Sequence, residues 1–273
     1  MRLGTRESKL ALAQSRWVAA RLPVQAELVG ITTDGDRSSE PIERIGTTGV
    51  FVTALRLALL AGEVDFVVHS FKDLPTAPLP GVRLAAVPER ADPRDALVGR
   101  EVRAGCRVGT GSQRRAVQIR RMADVEVVPI RGNVDTRLRK LQEGGVDALV
   151  LAKAGLDRLG LRGRPLDPRV MLPAPAQGAL AVECRQDDER TAELLATLDH
   201  PPTRVTVTAE RALLTALNAG CTAPVGALAR LDGPGTLRLD GLVARGDLVV
   251  RKSVSGPVAR AAELGAELAE VLW

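Results

Sequence analysis

Short apolar runs that end abruptly in polar residues dominate the pattern of this chain. The clearest run, residues 65–68, predicts a strand that is buried on both faces of a parallel sheet. Four polar residues follow it within a few positions: His69, Ser70, Lys72 and Asp73. Because Pro75 prevents regular continuation, we expect these polar groups at the strand's carboxyl end. That edge is where open α/β sheets bind their ligands.

The same pattern occurs a second time. Residues 62–68 are matched by residues 144–150, each after an amphipathic helix, and this repetition predicts two related α/β units. Residues 88–95 are predicted to cross from the first unit to the second. A hinge-like stretch at 173–178 then leads into a buried strand at 179–182 that should return to the first unit. Two units joined by two crossovers, with a cleft between them, would suit a small anionic ligand.

Arginines gather near the predicted strand ends and helix starts. Thr5 is predicted to cap the first helix, which would put Arg6 and Ser8 in its first turn, where an arginine opposes the helix dipole. Ser112 is predicted to cap a helix of the second unit. The arginines that should share one sheet edge are Arg6, Arg114, Arg115, Arg131 and Arg158. Single arginines are usually surface residues, but this grouping indicates a ligand with several carboxylates.

Asp73 is the main catalytic candidate. The alternative interpretation is that Lys72 and Asp73 form an ordinary solvated pair, as most charged loop residues do. A carboxylate at the mouth of a buried strand, however, is well placed to stabilise a cation or to accept a hydrogen bond from an N–H group.

Composition narrows the choice of ligand. The chain has 38 Lys plus Arg and 33 Asp plus Glu, which gives a net charge of +5. Most of the basic residues are arginines, which favour carboxylate or phosphate ligands. Three Phe, two Trp and no Tyr are too few for the stacking platforms of single-stranded nucleic-acid binders, so only weak, salt-sensitive RNA binding would be expected. Two histidines exclude a His-rich metal site. Without a signal-peptide or transmembrane pattern, the protein is expected to be cytoplasmic, with no membrane partner.

The three cysteines are too widely spaced for a zinc site or a disulfide framework. Cys106 and Cys184 lie within apolar runs and are predicted to be small buried residues. Cys221 instead follows a helix that is predicted to start at Thr206 and to have Gly220 as its C′ residue. A thiol on such a loop is accessible and could be a covalent attachment point. A hairpin over residues 237–254 and a final helix would complete a small α+β domain.

Several segments together resemble the hydroxymethylbilane synthases, also called porphobilinogen deaminases. They span nearly the whole chain and, in order, read RLGTRESKLALAQ, VDFVVHSFKDLPT, ERADPRDALV, VGTGSQRR, IRGNVDTRL, LAKAGLDRLGL, PAPAQGALAVECR and AERALLTALNAGCTAPVG. The chain departs from the family at Thr47-Thr48, where many members have a lysine in a glycine-rich stretch, and at Arg44, where a lysine is usual.

The resemblance implies a fold and a division into domains. The fold class is α/β, with two periplasmic-binding-protein-like α/β domains, a cleft between them and a small C-terminal α+β domain. Residues 1–92 and 176–199 would form domain 1, which carries Asp73. Residues 93–175 would form domain 2, with an arginine-rich face, and residues 200–273 would form domain 3, which carries Cys221.

The resemblance also implies the chemistry. The enzyme would deaminate four porphobilinogen molecules and join them head to tail on a dipyrromethane cofactor, held covalently at Cys221, one per chain. Asp73 matches the aspartate that contacts pyrrole N–H groups and stabilises positive charge as ammonia leaves. The positions matching cofactor and substrate contacts are Arg6, Ser8, His69, Ser70, Lys72, Thr110, Ser112, Arg114, Arg115, Arg131, Gly132, Arg137, Arg158 and Gln177.

The expected partner is therefore porphobilinogen. Each molecule carries an acetate and a propionate, which bidentate arginines bind well. No metal and no nucleic acid are expected, and a monomer is the default state. The alternative, from another class of protein, is a two-lobed anion-binding module without catalysis, against which the missing export signal and the Cys221 loop argue.

Overall fold

The computed structural model describes residues 1–31, 50–219, 223–246 and 248–272, except for the side chains of residues 50 and 51. The chain divides into two compact units. Unit 1 comprises Met1–Arg90 and Ala179–Arg204, and unit 2 comprises Ala91–Gly178 and Val205–Trp273. The three-domain division expected from the sequence stays a prediction.

Strands and helices alternate along most of the described chain. The strands are β1 (Arg2–Thr5), β2 (Glu27–Gly30), β3 (Phe66–Ser70), β4 (Val82–Ala86), β5 (Asp95–Gly99), β6 (Arg107–Gly109), β7 (Glu126–Val128), β8 (Ala148–Ala152), β9 (Arg164–Pro165), β10 (Leu180–Arg185), β11 (Val225–Leu231), β12 (Thr236–Arg245) and β13 (Leu248–Pro257). The α-helices are α1 (Lys9–Ala19), α2 (Val50–Leu60), α3 (Gln113–Arg120), α4 (Val134–Gln142), α5 (Lys153–Arg158), α6 (Glu189–Ala196), α7 (Pro201–Ala216) and α8 (Ala261–Leu272).

Unit 1 is built on a sheet with the order β2-β1-β3-β10-β4. β1, β2 and β3 are parallel, and β10 is antiparallel to both of its neighbours. Side chains of β3 alternate between two cores, as the pleat requires. Phe66 packs with Val18 of α1 on one face, whereas Val67 packs with Leu55 and Leu59 of α2 on the other. Helices therefore cover both faces of the central strand, as its apolar run predicted.

The first sheet of unit 2 repeats this topology. Its order is β7-β6-β8-β5-β9, with β6, β7 and β8 parallel and β5 antiparallel to β8 and β9. The repeated segments thus form equivalent central strands, β3 and β8. Ile119 of α3 packs on the face of β8 that carries Val150, and Leu156 of α5 packs on the face that carries Leu149. The internal repetition predicted from the sequence is confirmed.

A separate antiparallel sheet, β11-β12-β13, forms the C-terminal part of unit 2. β12 and β13 form the predicted hairpin. Leu213 of α7, Leu239 of β12 and Leu268 of α8 meet in one core, so both helices cover the same face of this sheet. The predicted fold class is confirmed: two α/β sheets of the same order are followed by a small α+β region.

The first helix begins later than predicted. Thr5 does not cap it, because Thr5 is the last residue of β1, pairs with Gly30 and accepts a hydrogen bond from the Ser15 hydroxyl at 2.7 Å. Ser8 is the N-cap, and its Oγ accepts from the Ala11 N–H at 3.3 Å. Arg6 consequently lies in the loop before α1 rather than in its first turn.

The boundaries of α7 also differ from the prediction. The helix begins at Pro201 rather than Thr206, since prolines are tolerated in a first turn where N–H groups have no helical partner. It ends in a Schellman motif: Asn218 adopts φ 48°, and the Ala219 N–H donates to Leu214 O at 3.0 Å. Asn218 is therefore the C′ residue, and Gly220, predicted for that place, lies outside the described residues.

Within the described ranges, no helix is both long enough and apolar enough to cross a membrane.

Gly178 occupies a backbone position that only glycine fits. Its φ is 90°, and an added Cβ would lie 2.5 Å from Ala91 O and 3.1 Å from Asp92 O. Since backbone atoms cannot give way easily, we expect Gly178→Ala to lower the free energy of unfolding by about 2–4 kcal/mol. Gly144 is the matched control: its φ is 74°, but nothing lies within 4 Å of an added Cβ. Gly144→Ala should cost only about 1 kcal/mol of backbone strain. Urea denaturation measures both, and equal losses would contradict the steric argument.

Candidate active site

Asp73 lies on a short turn at the carboxyl end of β3. The strand continues directly into one turn of 3-10 helix, Phe71–Asp73. Phe71 and Leu74 are buried on either side, while Asp73 is exposed. The Phe71 N–H donates to Ala179 O at 3.0 Å, and the Leu74 N–H donates to Phe71 O at 3.2 Å. Two apolar anchors and two backbone hydrogen bonds thus present the carboxylate where the sequence placed it; its catalytic role stays a prediction.

The other polar residues of this turn divide into two groups. Lys72 is half-buried on the turn, and Ser70, the last residue of β3, accepts from Gln14 Nε2 of α1 at 2.8 Å. His69 lies near the carboxyl end of β3, as predicted, but within the strand rather than in the loop after it. It is a residue of β3 itself, pairs with Ala181 and is 5% exposed. The strand extends further than its apolar run because His69 has a buried partner.

That partner is Glu183 of β10. His69 Nε2 lies 3.2 Å from Glu183 Oε2, within ion-pair range, although among the described residues it makes no well-aligned hydrogen bond. Arg56 of α2 donates two hydrogen bonds to the same carboxylate, from Nε at 2.9 Å and from Nη2 at 2.6 Å. Burial by itself would raise the pKa of Glu183, but Arg56 and His69 outweigh it and hold the pKa at about 2. Glu183 is therefore ionised at every physiological pH.

Arg6 and Ser8 follow β1, the parallel neighbour of β3. The carboxyl ends of adjacent parallel strands share one sheet edge, so the loop of Arg6 and the turn of Asp73 lie at the same edge of unit 1. Ser8 is partly committed, since its hydroxyl caps α1. The Arg6 side chain is half-buried.

In unit 2 the arginines converge on a carboxylate that the sequence analysis did not select. Asp95, the first residue of β5, is 0% exposed. It accepts from Arg114 Nη1 at 2.6 Å, from Arg115 Nε at 2.9 Å and from Gln177 Nε2 at 2.9 Å. Burial by itself would raise the pKa of Asp95, but the charges of Arg114 and Arg115 hold it well below its usual range. A lone carboxylate opening the apolar run of residues 95–98 was the available signal.

Further contacts fix the two arginines within unit 2. Arg114 Nη1 also donates to Leu172 O at 2.7 Å, and Arg115 donates to Val150 O at 3.1 Å and to Gln177 Oε1 at 3.4 Å. The buried Nε of Arg114 has no hydrogen-bond partner among the described residues. With one carboxylate facing two guanidiniums, this cluster carries an excess positive charge. The predicted contacts of Arg114 and Arg115 with ligand carboxylates stay predictions.

The start of α3 has the predicted cap. The Ser112 hydroxyl accepts from the Arg115 N–H at 3.5 Å, so Ser112 is confirmed as the N-cap. Thr110, which follows β6 and is buried, accepts from the Ser112 N–H at 3.2 Å. These bonds orient the first turn of α3, which carries the arginines.

Two more predicted residues, Arg131 and Gly132, lie in the loop after β7, and a third, Arg137, lies in the first turns of α4. Arg131 is exposed and Arg137 is half-buried. Gly132 adopts φ 98°, and its carbonyl accepts from Arg137 Nε at 2.8 Å. Since β6, β7 and β8 are parallel neighbours, this loop and the start of α3 share one sheet edge of unit 2.

Residues 176–178 are held one after another. Ala176 has φ 58°, and its N–H donates to Oε2 of the buried Glu210 side chain at 2.6 Å. The Gln177 side chain donates to Asp95 and so belongs to the Asp95 cluster. The Gly178 carbonyl accepts from Arg158 Nη2 at 2.9 Å. Burial lowers the pKa of Arg158 to about 10, which leaves it charged at neutral pH. The predicted hinge-like stretch is thus firmly bonded within unit 2.

Two predicted regions lie outside the described residues. They are Cys221 itself and the stretch that contains Arg44, Thr47 and Thr48. Cys106 and Cys184 are buried, as predicted. Among the residues that the structure describes, no group of three His, Cys, Asp or Glu could hold a metal ion.

Comparison with known proteins decides between the two classes considered from the sequence. Residues 1–193 match the family model described as porphobilinogen deaminase, dipyromethane cofactor binding domain, and residues 204–273 match the model of the porphobilinogen deaminase C-terminal domain. The chain belongs to the porphobilinogen deaminase family. These enzymes are transferases that make hydroxymethylbilane from porphobilinogen on a dipyrromethane cofactor. A non-catalytic anion-binding module is not favoured.

Individual members of the family resemble the chain over almost its whole length. The porphobilinogen deaminase of Acidothermus cellulolyticus is 52% identical, over 98% of this chain and 87% of its own length. Porphobilinogen deaminase 1 of Streptomyces coelicolor is also 52% identical, over 98% of this chain and 93% of its own length. The enzyme of Mycobacterium avium is 52% identical, over 100% of this chain and 94% of its own length.

Asp95 should be the carboxylate on which the stability of unit 2 depends most. In Asp95→Asn two buried guanidiniums lose their counter-charge, so we expect the free energy of unfolding to fall by about 3–5 kcal/mol. Asp167 is the control, because it also pairs with an arginine, Arg169 at 2.6 Å, but on the surface. Asp167→Asn should leave stability nearly unchanged. Chemical denaturation compares the two, and a small effect at Asp95 would show that the cluster is not a stability centre.

Proposed function

We propose that Asp73 is the catalytic carboxylate of this chain and that the arginines at the sheet edges bind the carboxylates of substrate and cofactor. The observation that carries this assignment is the presentation of Asp73: an exposed carboxylate on a turn pinned by buried Phe71 and Leu74 at the carboxyl end of β3. The reaction joins four porphobilinogen molecules and releases ammonia. Each deamination develops positive charge on a pyrrole, and that charge is what a fixed carboxylate can stabilise.

Asp73 acts in two ways in this proposal. Its carboxylate accepts hydrogen bonds from the pyrrole N–H groups, which orients the reacting ring. The same carboxylate lowers the energy of the cation that forms as ammonia leaves, and it needs no partner base for this. A turn that is fixed in advance is effective because no reorganisation is needed when the charge develops.

Arginines account for the side chains of the substrate. Every porphobilinogen adds an acetate and a propionate, so the growing chain needs many cationic donors. Exposed or half-buried guanidiniums at the relevant sheet edges are those of Arg6 in unit 1 and Arg131 and Arg137 in unit 2. Arg114, Arg115 and Arg158 add positive charge from buried or half-buried positions. Thr110, Ser8 and Gly132 are assigned to the same contacts.

The donor set fits a dipyrromethane cofactor. Such a group carries carboxylates, and the Asp95 cluster has an excess positive charge and a buried Arg114 Nε without a hydrogen-bond partner among the described residues. Cys221 is assigned as its thioether attachment, with Ser70, Lys72, Ser112 and Gln177 as further contacts. When bound, the cofactor supplies the primer to which pyrroles are added.

We also propose that the enzyme is a cytoplasmic monomer that acts without nucleic acid or membrane partners. The scarcity of aromatic side chains supports the absence of a nucleic-acid partner.

Intact-protein mass tests the covalent attachment. Wild-type protein should carry an added mass of two pyrrole units and give a pink colour with Ehrlich's reagent. Cys221→Ser should carry neither, because the oxygen nucleophile is far weaker than the thiolate. Cys106→Ala is the matched control and should keep the adduct, since Cys106 is buried. If wild type gains no adduct even after incubation with porphobilinogen, the assignment of Cys221 is wrong.

Substitution of Asp73 tests the catalytic role. We expect Asp73→Asn to lower kcat by about 10²–10³-fold or more, since the compensating charge is lost, while its stability should change little because the side chain is exposed. Asp187→Asn, at another exposed carboxylate of unit 1, should keep kcat. Steady-state kinetics, normalised to cofactor content by mass, measures both variants. If Asp73→Asn and Asp187→Asn had equal kcat values, the proposed catalytic role of Asp73 would be wrong.

A further inference from the structure

The end of β3 is held from both faces of the sheet, immediately before the turn that carries Asp73. On one face, Gln14 of α1, 5% exposed, donates to Ser70 at 2.8 Å. On the other face, His69 meets Glu183 of β10. The last two residues of the strand are therefore each tied to a different neighbour.

Strand register explains why Glu183 reaches His69. Glu183 pairs with Val67, so its side chain lies on the same face of the sheet as the side chains of Val67 and His69. α2 covers that face and brings Arg56 to the carboxylate. Arg56, His69 and Glu183 thus form one cluster, which we call the β3 clamp.

The β3 clamp is buried and contains an ion pair. The exposed fractions of its side chains are 9% for Arg56, 4% for Glu183 and 3% for His69. The bidentate bond from Arg56 fixes the plane of the carboxylate, and its Oε2 then faces His69 Nε2 at 3.2 Å. If one of the three side chains moved away, its partners would stay buried without a counter-charge or hydrogen-bond partner. The free-energy cost of this keeps the cluster assembled.

We propose that Glu183 is a positioning residue for Asp73. It anchors His69, one residue before Ser70, and so fixes where β3 ends and where the Phe71–Asp73 turn begins. Arg56 orients Glu183 for this purpose. The inference rests on the proposed catalytic role of Asp73. Arg56 and Glu183 are assigned no contact with cofactor or substrate, whereas the contact that the resemblance implies for His69 stays a prediction.

The expected consequence is a loss in kcat rather than in substrate affinity. Glu183 contributes no binding contact of its own, whereas a displacement of about 1 Å in a catalytic group can cost about 10²-fold in rate. Loosening the β3 clamp should also expose the two amides that hold the turn, those of Phe71 and Leu74.

Glu183→Gln is the first test. We expect kcat per cofactor-bearing molecule to fall by about 10- to 100-fold and KM to change by less than about threefold. Hydrogen exchange at Phe71 and Leu74 should accelerate while the amides of β1 and β2 keep their protection. Glu189→Gln is the matched control, because Glu189 pairs with Arg83 at 2.9 Å on the surface of the same unit. It should leave all three quantities unchanged.

Two further variants separate positioning from stability. Arg56→Met combined with Glu183→Gln removes both opposite charges, so the folded protein should recover stability relative to Glu183→Gln alone while kcat stays low. His69→Asn keeps the ion pair between Arg56 and Glu183 and carries the test if the other variants fold poorly. Its kcat loss should not add to that of Glu183→Gln, since both break one contact.

The outcomes distinguish this inference from the role of Asp73. If Asp73→Asn is inactive but Glu183→Gln and His69→Asn keep kcat within about twofold of wild type, the positioning role of Glu183 is wrong, whereas the catalytic role of Asp73 is supported. If amide hydrogen exchange in Glu183→Gln accelerates evenly across the whole sheet of unit 1, Glu183 stabilises the unit as a whole and does not specifically position the Asp73 turn. If Asp73→Asn itself stays active, the proposed catalytic role fails first.

Discussion

A carboxylate that is removed from water must be paired, and one such carboxylate lies at an equivalent place in each of the two α/β sheets. Glu183 faces Arg56 and His69, and Asp95 faces Arg114 and Arg115. Both carboxylates lie on the antiparallel strand beside the central strand, β10 next to β3 and β5 next to β8. The two sheets therefore share a buried ion pair as well as a strand arrangement: in each, a carboxylate on the antiparallel strand ties a covering helix, α2 or α3, to the sheet.

Local patterns carried enough information to predict much of the fold. The central strands, their repetition, the Ser112 cap and the C-terminal hairpin all follow from residues close together in sequence. β5 was not predicted as a strand because it opens with a charged residue whose partners lie far along the chain. The start of α1 was misplaced because Thr5 and Ser8 can both cap a helix, and pairing between β1 and β2 decides between them.

The candidate site shows the same limit. Asp73 could be found because the turn that presents it is local, with its proline and its apolar anchors within a few positions. His69 looked like part of that loop because Glu183, the residue that draws it into the sheet, is supplied by a strand more than a hundred positions later. The five arginines lie near strand ends and helix starts, but the prediction that they share one sheet edge is wrong, because Arg6 belongs to unit 1 and the others to unit 2. Asp95, the shared partner of Arg114 and Arg115, depends on tertiary packing that periodicity does not encode.

In the proposed mechanism, the exposed position of Asp73 separates catalysis from folding. Its turn is held by Phe71 and Leu74, so the carboxylate contributes little to the packing around it. Inherited changes at Asp73 should therefore leave a normal cellular amount of inactive protein. Changes at Asp95 should instead reduce the amount of protein that escapes proteolysis, because small losses of stability translate into several-fold losses of abundance. Immunological and enzymatic assays of the same cell extract would then disagree for the first class of variant and agree for the second.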